Sequence, residues 1–220
     1  MIHHELPLFP LNTVLFPGMP LDLYIFEPRY KLMIAECIRS GDPFGVVLIR
    51  AGKEVGGTAE VYDIGTTALI TDVKKHPGGE MDIRARGLNR FRLEATHTRR
   101  PFLTGVAHEY PLERSNEAEL TQAARGLAPI VKDYLNFFAK LGEIDQRIDQ
   151  LPEDPALLAY LTAFVLHVPM KDKQSILNLP DLMTMIHEEG RILRREAAIL
   201  RHMVQEGKRW RSDPSLFSPN

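Results

Sequence analysis

Two hydrophobic periods divide the chain. From residue 6 to about 111 the apolar positions fall in short runs or alternate with polar ones, the pattern of β-strands. Leu6-Pro7-Leu8-Phe9, Val14-Leu15-Phe16 and Leu21-Asp22-Leu23-Tyr24-Ile25-Phe26 are predicted strands, punctuated by Pro10, Pro17-Gly18 and Pro20. Phe44-Gly45-Val46-Val47-Leu48-Ile49 is a continuous apolar run, as a strand covered on both faces would be. Further strands are expected over 62–73, 81–86, 89–95 and 102–110, with Pro77-Gly78-Gly79 as a turn. One helix interrupts this half. Pro28 suits its first turn, Tyr30, Met33, Ile34, Cys37 and Ile38 make its apolar stripe, and Gly41 ends it. Many short strands with one inserted helix predict a closed or nearly closed barrel.

After Pro111 the period lengthens to that of helices. Ser115 is expected to cap a helix running towards Leu141, with Pro129 breaking or kinking it. Asp154-Pro155 is a cap followed by proline at the first helical position, and that helix should end before Pro169. A short helix near 171–177 precedes Pro180, which opens the longest helix, ending near Gly207. Leu182, Ile186, Leu193, Ala197, Leu200 and Val204 share one face of it, a stripe wide enough to extend beyond the bundle. The fold class predicted is α+β: a barrel over 1–112, an all-α bundle over 113–209 and a mobile tail over 210–220.

Several fragments of the first half follow one another in close order. They are Leu6-Pro7-Leu8-Phe9-Pro10-Leu11, Val14-Leu15-Phe16-Pro17-Gly18, Ile25-Phe26-Glu27-Pro28-Arg29-Tyr30, Phe44-Gly45-Val46-Val47-Leu48-Ile49, Asp63-Ile64-Gly65-Thr66 and Gly87-Leu88-Asn89-Arg90-Phe91. Together they resemble the N-terminal substrate-binding domain of the ATP-dependent Lon proteases. The resemblance covers nearly all of 6–110 and continues more weakly through Lys173-Gln174-Ser175-Ile176-Leu177. It implies a PUA-like antiparallel barrel followed by helices, and a role in recognising protein or peptide. These 220 residues contain no G-x-x-x-x-G-K-[ST] phosphate loop, so the likeness is to members that carry the recognition domain without a motor or protease.

The search for chemistry narrows the function further. No G-x-S-x-G is present, and Ser40, Ser115 and Ser175 sit at a turn, a cap and in a helix. Cys37 lies on the apolar face of its helix and reads as core. The eight histidines form no H-E-x-x-H pair, so no metal and no cofactor is expected. The lone cysteine argues for a reducing compartment, and the apolar runs are too short to span a bilayer, so a cytoplasmic protein is expected. A formal net charge of -2 lacks the excess of a nucleic-acid binder.

Two surfaces remain as candidates. Phe16, Leu21, Leu23, Tyr24 and Phe26 lie along a proline-rich edge, and any that face out would hold an unfolded or extended segment, by strand addition among other modes. Glu27 and Arg29 flank Pro28, with Arg29 expected to pair with a barrel carboxylate. If 80–86 and 89–95 form a hairpin, Arg84, Arg86, Arg90 and Arg92 would stand exposed on one side, an anion-binding face for an acidic peptide or RNA. Polypeptide recognition is the leading expectation and RNA binding through those arginines the alternative; the oligomeric state is not set by the sequence.

Overall fold

The computed structural model describes the backbone of residues 2–52, 59–140 and 150–212, and the side chains of 5–52, 59–139 and 150–198. Seven strands, β1 (Ile2–Leu11), β2 (Pro20–Ile25), β3 (Phe44–Gly52), β4 (Ala59–Val61), β5 (Ile64–Lys75), β6 (Met81–His97) and β7 (Thr104–Glu109), form one mixed sheet. The helices are α1 (Pro28–Ser40), α2 (Glu117–Lys140), α3 (Pro155–Val165), α4 (Met170–Leu177) and α5 (Leu182–Ser212). The architecture is α+β.

The sheet closes on itself through β1. Its first half pairs antiparallel with β7, and its second half pairs parallel with β3, Leu8 opposite Gly45 through Leu11 opposite Leu48. The ring therefore runs β1-β7-β6-β5-β3 and back to β1. This change of partner is what lets a strand hold two prolines. Pro7 lies opposite Thr104 and Pro10 opposite Val47, so each falls in a half of β1 that has a single ladder neighbour and little need of a second donor edge. Inside the ring Leu6, Leu8, Val47, Phe91, Leu93 and Ala107 form one core. A second core lies between the sheet and α1, whose Tyr30, Met33, Ile34 and Cys37 are buried. Pro28 opens α1 and Gly41 closes it at φ 76°, a left-handed conformation that favours glycine. Gly65 answers a different demand: a Cβ there would strike the carbonyl oxygen of Val46 and stand 2.7 Å from the Phe91 ring.

The third core joins the two halves. Val14, Phe16, Leu48 and Ile64 from the barrel's outer surface pack with Leu120, Leu127, Val131, Leu158, Leu182, Ile186 and Leu193 of the helices. Polar groups cross the same seam. Arg90, 2% exposed, donates through Nε to the carbonyl of Tyr110 at 3.1 Å. Its Nη1 donates to Leu177 O at 2.6 Å and Leu179 O at 2.7 Å. Leu177 ends α4, so a barrel guanidinium caps the negative end of a helix in the other half. Gln174 adds a 2.9 Å bond from Nε2 to Ile64 O.

Several expectations are corrected here. The segments 81–86 and 89–95 are not a hairpin but one continuous strand of 17 residues, because Gly87 and the residues after it carry the chain on without a turn. Its inside-outside alternation slips at Leu88 and Asn89, both exposed, with a register shift against β5 between Thr66 and Ala68. Val14 to Phe16 make no ladder; they form a buried crossing segment held by Thr66 Oγ1 donating to Leu15 O at 2.6 Å. The cap of α2 is Asn116, whose Oδ1 accepts from Ala118 N at 3.0 Å, and not Ser115. Pro129 does not break its helix, since α2 passes through it. Arg29 pairs with its neighbour Glu27 at 3.1 Å. α5 continues past Gly207 to Ser212, and the stripe of Leu182, Ile186 and Leu193 is fully covered. The side chains of Leu200 and Val204, and residues 213–220 of the expected tail, lie outside the described residues.

Two predictions follow from the buried polar groups. Arg90→Met keeps an apolar stem in place but leaves the Tyr110, Leu177 and Leu179 carbonyls without their donor. It should cost about 2–4 kcal/mol in a urea titration, and a cost under about 1 kcal/mol would show that the seam does not rely on this residue. Glu189, on α5, is wholly buried with neither carboxylate oxygen hydrogen-bonded, and burial pushes its carboxyl well above the usual 4.5. The folded chain then keeps a proton that the unfolded chain releases, so stability falls as pH rises from about 4.5. Glu189→Gln should flatten that fall between pH 5 and pH 8, and equal pH profiles for both proteins would refute it.

Candidate functional site

β2 is the strand on which an outward surface is built. Its residues alternate, with Leu21, Leu23 and Ile25 turned to the α1 core and Pro20, Asp22 and Tyr24 exposed. It pairs antiparallel with the first half of β6, from Pro20 opposite Arg86 to Ile25 opposite Met81, and among the described residues with no other strand. Just outside the ladder, Gly87 N donates to Met19 O at 2.9 Å. Bonded and non-bonded pairs alternate in an antiparallel ladder, so Leu21, Leu23 and Ile25 make the bonds to β6. The N–H and C=O groups of Asp22 and Tyr24 turn to the other, strandless side.

Tyr24 is 56% exposed and Phe26 48%, the most exposed aromatic side chains among the described residues. Their rings stack with centroids 6.1 Å apart and 25° between planes, and His76 meets Tyr24 edge-on at 5.9 Å. His76 Nε2 lies 2.7 Å from Asp82 Oδ2, and Asp82 is the register partner of Tyr24. One step along, Arg84 Nε donates to its own register partner Asp22 at 2.9 Å. Beside the aromatic pair a shallow cleft of about 330 Å³ is lined by Asp22, Tyr24, Asp72, Lys74, Asp82 and Arg84.

The sequence-predicted residues separate into two groups. Tyr24 and Phe26 come together on the surface, and Leu21 is half-buried behind them. Phe16, 0% exposed, belongs to the core between barrel and helices and offers nothing to a ligand. The four arginines are not one exposed face. Arg84 is tied to Asp22, and Arg86 Nε donates to Gly18 O at 3.2 Å. Arg90 is buried under the helices because β6 slips phase at Leu88 and Asn89. Arg92 lies over the Tyr110 ring at 4.2 Å. Asp22, His76 and Asp82 were not singled out as ligand groups. The alternation of 20, 22, 24 and 26 places Asp22 beside Tyr24, but nothing in the sequence gives the register that brings β6 and the 76–80 turn alongside.

Groups that could act chemically are committed elsewhere. Ser175 Oγ donates to the Lys171 carbonyl one turn earlier, at 3.0 Å. Burial, with Glu36 and Asp42 nearby, pushes the Cys37 thiol up to about 11, so it stays protonated at neutral pH. Among the described residues no three His, Cys, Asp or Glu side chains gather where they could hold a metal ion. No described helix is long and apolar enough to cross a membrane.

Residues 5–195 match the family model for the ATP-dependent protease La (LON) substrate-binding domain. The chain is 28% identical over 203 residues to Lon protease 2 of Myxococcus xanthus, covering 91% of this chain and 24% of that protein. Lon protease 1 of Thermus thermophilus is 26% identical over 208 residues, with 25% of its length covered. The chain thus spans about a quarter of the length of these curated relatives. Among solved structures, a Lon N-terminal domain protein from Xanthomonas campestris is similar at TM-score 0.62 and 25% identity, over 84% of this chain and 96% of that one. The N-terminal domain of Mycobacterium avium complex Lon protease shares the fold at TM-score 0.64 and 16% identity, over 86% and 98%. By the extent of the family match, the chain belongs to the Lon substrate-binding domain family.

Proposed function

We propose that the chain is a non-catalytic recognition module that holds unfolded or extended polypeptide at the Tyr24–Phe26 face. It works without metal or cofactor, in the reducing cytoplasm. The observation that carries this reading is the stacked aromatic pair left half-exposed at the end of β2, Tyr24 within the strand and Phe26 just after it. A soluble fold keeps two adjacent aromatic rings in water at a cost, and β2 fixes Tyr24 with Phe26 stacked against it, so little ordering is needed when a partner covers them. Each ring removed from water contributes roughly 1.5–3 kcal/mol, before the cost of ordering the partner. Two rings and a few backbone contacts reach micromolar affinity and no more, which suits a protein that must release what it holds. Membership of the substrate-binding family points the same way. The dispersal of the arginines removes the observation that would favour RNA.

A chemically unfolded, fluorescently labelled model substrate, titrated by anisotropy, should bind in the micromolar range, and its aggregation should be suppressed. Tyr24→Ala with Phe26→Ala should weaken that binding at least about tenfold while leaving the unfolding midpoint nearly unchanged, since both side chains are surface groups. Absence of binding up to high micromolar protein, together with unaltered aggregation, would overturn the proposal. RNA affinity that falls steeply with salt would replace it with the nucleic-acid reading.

A further inference from the structure

We propose that the occupant adds as a strand to the free edge of β2, and that it carries an aromatic residue and a lysine or arginine two positions apart. This rests on the reading of the chain as a polypeptide-recognition module and specifies its substrate. The first observation is the ladder parity. Asp22 and Tyr24 turn their main-chain donors and acceptors away from β6, and among the described residues no other strand pairs with β2. The ligand such an edge accepts is an extended backbone, whose own N–H and C=O groups repeat at the same two-residue spacing.

The second observation is the row of side chains standing over that edge. Asp22 and Tyr24 stand on one face of β2, Phe26 follows just past its end with its ring stacked against Tyr24, and an added strand places its own outward residues directly beside Asp22 and Tyr24, about 5 Å away. Next to Tyr24 and Phe26 an aromatic residue continues the existing stack. The position two residues away falls beside Asp22, the single charged side chain of β2. The cleft behind it, over β6 and β5, has three carboxylates, Asp22, Asp72 and Asp82, against Lys74 and Arg84. Asp22 accepts from Arg84 on its inner side with a side chain 66% exposed, so an acceptor remains on the outer side for a cationic group. An acidic residue placed there would meet the Asp22 carboxylate instead. The charge pattern therefore selects basic over acidic segments, and the ring pair selects aromatic over small ones.

A second copy of this chain is the poorer occupant. Pro20 has no N–H, which leaves a usable edge of only Asp22 and Tyr24. Two such residues bury far less than the roughly 1,200 Å² a stable dimer needs. An unfolded segment needs no such area, because its binding is weak and transient.

The test uses the whole chain and a labelled nine-residue peptide with phenylalanine and lysine two apart and threonine between. Two further peptides carry N-methyl groups, one on the phenylalanine and lysine amides, the other on the intervening threonine amide. A strand uses one edge only, so one methylated peptide should lose binding at least about tenfold while the other stays close to the parent. Lysine→glutamate in the peptide should also weaken binding about tenfold, and Asp22→Lys in the protein should reverse the preference between these two peptides. Equal binding of both methylated peptides would overturn strand addition while leaving polypeptide recognition standing. Loss of the unfolded-substrate binding described above would instead remove the recognition reading itself. A dimer in sedimentation velocity that the parent peptide dissociates would give the edge to a second copy and overturn the proposal.

Discussion

Arg90 brings a positive charge to a place where water is excluded, and the helical half can dock on the barrel only if that charge is satisfied. Desolvation lowers its pKa, and no carboxylate of the described residues stands against it. What meets it is a set of three carbonyls, from Tyr110 at the end of the sheet and from Leu177 and Leu179 at the end of α4. A charged donor to three polarised acceptors suits a guanidinium, whose fixed fork can reach several at once; an ammonium on a flexible stem could not hold the same three in place. The Tyr110 ring, 4.7 Å from the guanidinium carbon, covers it further. The consequence is positional. The end of α4 docks at Arg90, in the middle of β6, while the first half of that strand carries β2 as an outer strand. The exposed edge and the docked bundle are thus attached at different points of one 17-residue strand.

That strand is also where the sequence was least legible. The α+β class, the closed barrel, α1 between Pro28 and Gly41, and the Asp154-Pro155 start of α3 could all be read from period, caps and turn residues. Each depends on local chemistry within a few positions: Asp154 Oδ1 accepts from Ala156 N and Leu157 N, as its place before a proline suggests. The burial of Arg90 depends instead on a slip of alternation at Leu88-Asn89 and on where α4 ends, 87 residues further along. A run of arginines spaced by two then looks like one solvated face, although the slip sends its two halves to different fates. Phe16 misled for the converse reason. Its neighbours alternate like a strand, but the segment crosses the barrel instead of pairing, and all of it is buried.

Glu189 shows that the interior is not uniformly optimised. It occupies a position between Ile186 and Ile192 on the stripe of α5, where period alone would place an aliphatic residue. Its carboxyl has no hydrogen bond, and Tyr160 on α3 is the described titratable group that senses it. Held neutral by burial, it contributes a polar gap to the same core that Arg90 closes from the barrel side. The packing of α2, α3 and α5 therefore tolerates a polar defect, and the seam to the barrel leaves two more buried atoms without a partner, Arg90 Nη2 and Gln174 Oε1.

The edge at β2 carries the devices by which proteins keep sheet edges from pairing indiscriminately. It is short, begins with a proline and places a charge at its centre. On the proposed reading those devices do not abolish the edge; they set how tightly and to what it would bind. Pro20 shortens the ladder to two residues, which would hold affinity low. Asp22 would repel acidic strands and favour basic ones, and Tyr24 with Phe26 would restore, through ring contact, part of the affinity that the short ladder gives up. An edge free of these features would pair with any extended chain, including its own copies. One with a charge and a proline but no aromatic pair would hold nothing. The combination found here suits the proposed surface, one that would capture weakly, discriminate by side chain and release.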